Sequence, residues 1–385
     1  MKQSNKNIKF TRKLRNISLL NKKIIFDKKI LHNLSSNDYL SLSKNKDLIS
    51  ASNLWTKNFG TSLSSSRLIS GNFDKIGELE KKIAKHKSKQ EAIILGSGFQ
   101  CNITAILAII ENSLGKRTKA KIFSDKYNHS SIQIGCMISN QRTFRYNHLD
   151  YNHLESLLKK ADKNELKLII SETVFSMDGD VAEISNLRYL AKKYNCLIYF
   201  DEAHASGVFG KNGFGFTSDR NKNEETENEI AVGTFSKAFG SYGSYISCSK
   251  KIKDRIINKC TGFIYSTALP PGVLGAIDCA TEKIPKMKNE RCELIQKSKY
   301  LKKKLKKLDL FIGKTSSQII PIIFSDAKFC ISLSNIMLAS GYYILPIMPP
   351  TVPYGKSRLR VSLTSFISKK VIDGFIKILE EKKRK

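Results

Sequence analysis

Ala231-Val-Gly-Thr-Phe-Ser-Lys-Ala-Phe-Gly240 runs from an apolar strand into a turn of small residues, and that turn decides the fold. Lys237 stands among small and apolar side chains, with no acid between Ile230 and Lys253, whereas most other lysines sit in charged clusters. Apolar surroundings disfavour the ammonium form and leave a free amine able to form a Schiff base with a carbonyl. Thr234 and Ser236 place hydroxyls beside it, and the glycines that follow let backbone approach a ligand. Taken alone, a lysine belongs on the surface. This one gains meaning from its neighbours in sequence.

On the N-terminal side of the turn, short apolar runs alternate with amphipathic stretches. Ala92–Leu95 reads as a strand, Gly96-Ser-Gly98 as a turn and Asn102–Ile110 as a helix. Ala120–Ser124 and Leu166–Ile170 read as the next strands, followed by a helix over Ile184–Tyr194. Strands over Cys196–Phe200, Ile230–Thr234 and Ser244–Ser247 complete the series. Continuous apolar strands between helices indicate an α/β fold with a largely parallel sheet covered on both faces. Beyond residue 285 the pattern changes to a basic helix (Glu293–Leu308), a strand (Gln318–Phe324) and a helix (Lys328–Ala339). Strands over Tyr343–Ile347 and Arg358–Leu363 and a last helix follow, as in a smaller α+β domain. The expected division is an N-terminal arm over 1–45, a large domain over 46–284 and a small C-terminal domain over 285–385.

In such sheets the ligand sits beyond the carboxyl ends of the strands, and the reactive side chains fall there. Asp201 follows the Cys196–Phe200 run, with Glu202 and His204 behind it. Ser176 lies in the segment Glu172–Asp180 after Leu166–Ile170, and Asp125, Asn128 and His129 follow Ala120–Ser124. Gly98 and Phe99 open onto a helix whose N-terminal amides favour an anion such as phosphate. An amine-forming lysine, an acid, a phosphate cradle and a histidine placed to stack on a ring together describe pyridoxal 5′-phosphate. Asp201 is suited to keep the pyridine nitrogen protonated, and His204 to face the phenolic oxygen.

Bulk composition narrows the classes. The 385 residues are 41% hydrophobic and 26% charged, which fits a globular protein of more than one domain. The longest apolar run, Ala105–Ile110, is far below the roughly 20 residues that cross a bilayer, so no membrane role is expected. Sixty-six basic against 34 acidic residues leave a net charge of +32. That charge raises nucleic acid as a partner, but it is spread along the chain without a zinc-finger or RNA-binding aromatic signature. Solvated lysine faces such as Lys302-Lys303-Lys304 account for it, and they suit an acidic carrier protein or a polyanionic thioester. Eight cysteines with no C-x-x-C or pairing pattern read as reduced thiols of a cytoplasmic protein, and no metal site is indicated. The N-terminus lacks the apolar core of a secretory signal, and Arg12 and Arg15 are few for a transit peptide.

The chain resembles the α-oxoamine synthases, pyridoxal-phosphate enzymes that condense an amino acid with an acyl thioester and release carbon dioxide. The resemblance rests on Ser35-Ser-Asn-Asp-Tyr-Leu40, Phe175-Ser-Met-Asp-Gly-Asp180, Asp201-Glu-Ala-His204 and Gly233-Thr-Phe-Ser-Lys237. Pro349-Pro-Thr-Val-Pro353 and Arg358-Leu-Arg360 extend it to nearly the whole length, in the family's order. Ile264-Tyr-Ser-Thr267 and Arg358-Leu-Arg-Val-Ser-Leu-Thr364 bring it nearest to the biotin-pathway members, which join L-alanine to a pimeloyl thioester. The resemblance implies a fold-type I transferase in which Lys237 bonds the cofactor, Asp201 its ring nitrogen, and Ser176 and His204 its oxygen. Gly98 and Phe99 would hold the cofactor, Thr234 its phosphate, and His129 would stack on its ring near the substrate. Tyr265 and Ser266 would reach the phosphate of a neighbouring subunit, which makes a homodimer. Arg360, Thr351 and Asn37 would contact substrate, Arg360 through the amino-acid carboxylate.

Rival reactions within the resemblance are those of glycine C-acetyltransferase, 5-aminolevulinate synthase, a serine-using long-acyl enzyme and an aminotransferase of the same fold. The remote alternative is a basic nucleic-acid-binding protein. Departures from the pattern bear on the acyl substrate. Gly60-Thr-Ser-Leu-Ser-Ser-Ser-Arg67 carries serine or leucine where glycines are common, Ser41 replaces a glycine, and Ile76 replaces a histidine. Arg12 and Arg15 compete for the N-terminal substrate-binding arginine.

Overall fold

The computed structural model describes residues 14–20, 22–110, 120–219 and 227–383. In chain order it contains β1 (Ser18–Leu20), β2 (Lys23–Phe26), β3 (Lys29–Asn33), α1 (Lys46–Phe59), α2 (Asp74–His86), β4 (Glu91–Leu95) and α3 (Gly98–Ile110). Next come β5 (Ala120–Asp125), α4 (Ser130–Ile138), β6 (Arg142–Tyr146), α5 (Tyr151–Lys159), β7 (Leu166–Glu172), α6 (Ile184–Lys193) and β8 (Leu197–Asp201). β9 (Glu229–Thr234), β10 (Ser244–Cys248), α7 (Lys250–Lys259), α8 (Thr261–Ile264) and α9 (Pro271–Lys283) follow. The chain closes with α10 (Lys288–Lys307), β11 (Ile319–Phe324), α11 (Ala327–Ala339), β12 (Tyr342–Tyr343), β13 (Pro346–Ile347), β14 (Ser357–Ser362) and α12 (Lys369–Lys383).

Two compact units result. The larger comprises Asn45–Phe175 and Ala182–Lys288, and the smaller gathers the described residues of Met1–Lys44, Ser176–Val181 and Asn289–Lys385. The larger is built on a seven-stranded sheet in the order β4-β10-β9-β8-β7-β5-β6. Neighbours from β9 to β6 are parallel; α4, α5 and α6 make the crossovers from β5 to β6, β6 to β7 and β7 to β8, and a long connection joins β8 to β9. Side chains alternate between two cores. Leu168, Ile170 and Tyr199 enter one with α3, α4 and α7, while Ile169, Ile198 and Phe200 enter the other with α5 and α6. This period-2 division is why the strands read as unbroken apolar runs.

β10 is the exception, antiparallel to both β9 and β4. No helix intervenes between β9 and β10, so the chain turns back through residues 235–243. The Phe235 amide donates to the Gly243 carbonyl at 2.9 Å, Ser241 to Phe235 at 2.9 Å and Gly240 to Lys237 at 2.9 Å. Gly243 has φ +114°, and a Cβ there would lie 2.8 Å from Leu269 Cδ1, so only glycine closes this turn. Because β4 reverses again beside β10, it runs with the parallel strands. Leu95, Asp125, Tyr146, Glu172, Asp201 and Thr234 therefore all end strands at one edge of the sheet.

The smaller unit holds two sheets, β1-β2-β3-β12 and β11-β14-β13, with α10, α11 and α12. In α10, Arg291, Leu294, Lys297, Ser298, Leu301 and Leu305 are buried at helical spacing, and most of its other lysines lie on the remaining face. The strand expected over Tyr343–Ile347 is broken. β12 pairs with β3 and β13 with β14, and Pro346, which has no amide donor, stands at the break. β1, β2 and β3 were not expected from sequence. All eight cysteines are free, and burial pushes the Cys196 thiol up to about 12. Among the described residues no helix is long and apolar enough to cross a membrane.

Candidate functional site

Tyr199 and Asp201 are two residues apart on β8 and so face the same side of the sheet, where α3 packs. Asp201 is buried, at 5% exposure. Its Oδ1 accepts from the Ala203 amide at 2.8 Å and its Oδ2 from the Asn102 side-chain nitrogen at 2.7 Å. Asn102 sits inside α3 and reaches two further partners. Its Oδ1 accepts from the Tyr199 hydroxyl at 2.7 Å, and its Nδ2 donates to Ser131 Oγ at 3.0 Å.

Ser131 belongs to the first turn of α4, which His129 caps. His129 Nδ1 lies 2.7 Å from Ser131 Oγ and accepts from the Ser131 amide at 3.3 Å. More than a third of His129 is open in this chain, yet its surroundings lower its pKa. Burial contributes most, Asp201 opposes it, and Lys237 lowers it further. The ring is thus tied along its Nδ1 edge and open elsewhere, which fits a stacking role.

The turn after β9 presents Lys237, half-buried, with Nζ 2.9 Å from Nε2 of the buried His204. Thr234 Oγ1 lies 2.8 Å from Ser236 Oγ, donates to the Gly243 carbonyl at 2.9 Å and accepts from the Ser236 amide at 3.2 Å. Gly98, at the N-terminus of α3, is close enough that an added Cβ would stand 3.8 Å from Thr234 Oγ1. A helix N-terminus beside a hydroxyl suits a phosphate. Phe99 is exposed, and Ser97 Oγ accepts from the Gln100 amide at 3.2 Å. Gln100 in turn donates to Ser266 Oγ at 2.5 Å, whereas Tyr265 is 81% exposed.

The smaller unit assembles its own polar cluster. Arg360 on β14 is buried and donates through Nε to the Ser176 carbonyl and through Nη1 to Ser362 Oγ at 2.8 Å and Asn37 Oδ1 at 3.3 Å. The Tyr39 hydroxyl donates to Asn37 Oδ1 at 3.1 Å. Burial raises its pKa, and Arg360 opposes that rise. Arg358 pairs with Asp178 at 2.7 Å. Thr351 lies on an exposed turn after the cis bond Pro349–Pro350, its amide donating to the Met348 carbonyl at 3.0 Å. Arg15 is exposed, 5.5 Å from the Phe26 ring centre, and Arg12 lies outside the described residues.

The sequence-expected residues therefore gather in three small groups: Asp201 with His129, Lys237 with His204, and Gly98 with Thr234. Arg360, Asn37 and Ser176 form a fourth group in the smaller unit. Asn102, Ser131 and Tyr199 were not anticipated. The available signal was an asparagine inside the apolar run Ile103–Ile110's own helix, because a buried polar side chain there needs partners. Two departures from the family pattern have visible consequences. Ser41 adopts φ +56°, the region glycine favours, and Ile76 is a core residue at 1% exposure.

The sequence model of the aminotransferase class I and II family matches residues 29–379. An 8-amino-7-oxononanoate synthase of Gluconacetobacter diazotrophicus is 37% identical over 356 residues, covering 92% of this chain and 88% of that protein. The crystal structure of the 8-amino-7-oxononanoate synthase of Francisella tularensis is 26% identical with a TM-score of 0.76, covering 92% of this chain and 98% of its own. In fold alone, the serine palmitoyltransferase of Sphingomonas wittichii is also similar, with a TM-score of 0.87 at 24% identity over 96% of this chain and 92% of its own.

Proposed function

Since the chain belongs to the aminotransferase class I and II family, we propose that it condenses L-alanine with a pimeloyl thioester to give 8-amino-7-oxononanoate, on the route to biotin. It is a fold-type I, pyridoxal 5′-phosphate-dependent acyltransferase of the 8-amino-7-oxononanoate synthase type. One observation carries the reading: Lys237 Nζ lies 2.9 Å from His204, and the adjacent strand ends in Asp201, whose carboxylate rests on neutral donors.

These residues fit the cofactor. The lysine offers an amine, the aspartate a negative charge, and α3 a helix N-terminus beside Thr234. When bound, the cofactor supplies an aldehyde for an amine and a cationic ring that draws electrons from the amino acid's α carbon. Lys237 would hold the aldehyde through Nζ, and its free amine would take the α proton of alanine. Asp201 would face the ring nitrogen and favour its protonated form. Ser176 and His204 serve the phenolic oxygen, and Gly98, Phe99 and Thr234 the phosphate. His129 would stack on the ring and face the acyl oxygen. Arg360 grips alanine's carboxylate, with Asn37 and Thr351 as further substrate contacts. Tyr265 and Ser266 complete the phosphate site of a second copy, so the active form is a homodimer. The exposure of Tyr265 supports this.

The donor is pimeloyl-CoA or pimeloyl on an acyl carrier protein. Both are anionic, which suits the groove of Lys299, Lys302, Lys303, Lys306 and Lys307 in the smaller unit. There, burial with Lys306 and Lys299 nearby lowers the Lys302 pKa. Free, buried thiols support a reducing compartment, the cytoplasm.

The test is thiol release and product mass with alanine and each pimeloyl thioester. The expected product is 8-amino-7-oxononanoate. Turnover only with glycine and acetyl- or succinyl-CoA would move the chain to a sibling reaction. Borohydride reduction of the loaded protein should tag Lys237, and a tag on another peptide would overturn the lysine's assignment.

A further inference from the structure

We infer that Asn102 and Ser131 are positioning residues that hold His129 in the tautomer with its proton on Nε2, so that the open nitrogen is a hydrogen-bond donor. The argument is a count of protons along one chain of contacts. A carboxylate can only accept, so the Asn102 atom 2.7 Å from Asp201 Oδ2 is the amide nitrogen. The atom 2.7 Å from the Tyr199 hydroxyl is then the amide oxygen, and Tyr199 donates to it. The opposite amide orientation would press oxygen against the carboxylate, so the two flanking groups select one orientation.

Asn102 Nδ2 carries two protons. One goes to Asp201 and the other to Ser131 Oγ at 3.0 Å. Ser131 Oγ accepts from Asn102 and keeps its one hydroxyl proton for the contact to His129 Nδ1, 2.7 Å away, a direction that the backbone donor to that nitrogen requires. The Ser131 amide points a second proton at the same nitrogen from 3.3 Å. A nitrogen facing two donors keeps its lone pair, which leaves the ring proton of a neutral imidazole on Nε2. The competing imidazolium would turn an N–H toward the Ser131 amide. The net lowering of the His129 pKa, by burial and by Lys237 against the pull of Asp201, also opposes that form.

The consequence for the reaction rests on the proposed function. His129 meets the thioester's acyl oxygen as an N–H donor rather than as a base. The amide that sets this proton also orients Asp201, so a single buried side chain aligns two separate functional groups.

The experiment is NMR of the full-length chain with isotope-labelled histidine rings, with the His129 signal assigned by its loss in His129→Gln. At a pH above its titration, His129 should appear as the Nε2–H tautomer in the wild type, with or without cofactor. Ser131→Ala should yield a mixture of tautomers, and Ser131→Thr, which keeps the hydroxyl, should restore the wild-type signal. In the loaded enzyme Ser131→Ala should lower kcat about tenfold with KM for alanine little changed. That is less than the roughly 10²–10³-fold lost when an oxyanion donor is itself deleted. A wild-type signal from the Nδ1–H form, or a Ser131→Ala spectrum identical to wild type, would overturn the inference. Failure to turn over pimeloyl thioesters while the Nε2–H signal persists would sink the proposed reaction and leave the tautomer standing.

Discussion

Asp201 and Glu202 are adjacent, both acidic and both buried, yet they are held in opposite ways. Glu202 is fully enclosed and neutralised by Lys87, whose Nζ also donates to the Phe214 carbonyl at 2.7 Å and Thr217 Oγ1 at 2.6 Å. The Thr217 amide and hydroxyl complete the carboxylate's shell. Asp201 rests on an amide side chain and a backbone amide, both neutral. A carboxylate matched by a lysine has its charge cancelled within the fold. One held by neutral donors is oriented without being matched to a cation of the fold, which suits a cationic ligand. Under the proposed function, the difference separates a structural acid from a chemical one, although the two are covalent neighbours.

Exchanging each acid for its amide is the sharpest way to break this comparison. Asp201→Asn keeps the shape but removes the charge, and kcat should fall about 10²–10³-fold while the denaturation midpoint barely moves. Equal loss of stability and activity would erase the distinction. Glu202→Gln should do the reverse, because it strands Lys87 in the core. Urea unfolding should report a loss of about 3–5 kcal/mol, and a Lys87→Met/Glu202→Leu double replacement should recover most of it.

Two histidines report on the two sides as pH changes. His86 stacks on the Phe214 ring with centres 4.4 Å apart, next to the structural acid's shell. Burial lowers its pKa, Glu282 opposes this, and Lys85 and Lys82 reinforce it. His129, on the chemical side, is lowered as well. A histidine harder to protonate when folded than when unfolded favours the native state above the unfolded value. Stability is therefore lost as pH falls below the ordinary 6.5 toward the lowered native values. Unfolding midpoints across that range should decline in the wild type, and His86→Gln should flatten the decline. The smallest effect is expected remote from both acids. Ser41→Gly should stabilise the smaller unit by about 0.5–1 kcal/mol in urea titration, by removing a Cβ from the left-handed region.

Much of the larger unit was legible because its strands are buried on both faces. Runs such as Leu166–Ile170 have no solvent side to dilute the apolar signal, and their ends mark the edge where Asp201, Thr234 and Lys237 lie. β6 was harder to read, since Arg142-Thr-Phe-Arg-Tyr146 is an edge strand with polar positions. β1 is exposed throughout, and β2 and β3 carry lysines, so no alternation exposes them. Asn102 was hidden for a different reason. A helix as apolar as α3 looks like core, and only the third dimension brings Asp201, Ser131 and Tyr199 to its buried asparagine. Lys87 and Glu202, far apart in sequence, likewise carry no local mark of their pairing.

The reversal between β9 and β10 has a mechanical consequence. Residue 237 is rooted in a hairpin whose two legs are interior strands, and three backbone hydrogen bonds brace the bend. Under the proposed function, the braced bend leaves the handing of the amine from one bonding partner to another to a four-carbon tether. Rotations about such a tether take place in picoseconds to nanoseconds, well ahead of any loop rearrangement. Exchange of ligands at this nitrogen should proceed without the scaffold beneath it stirring.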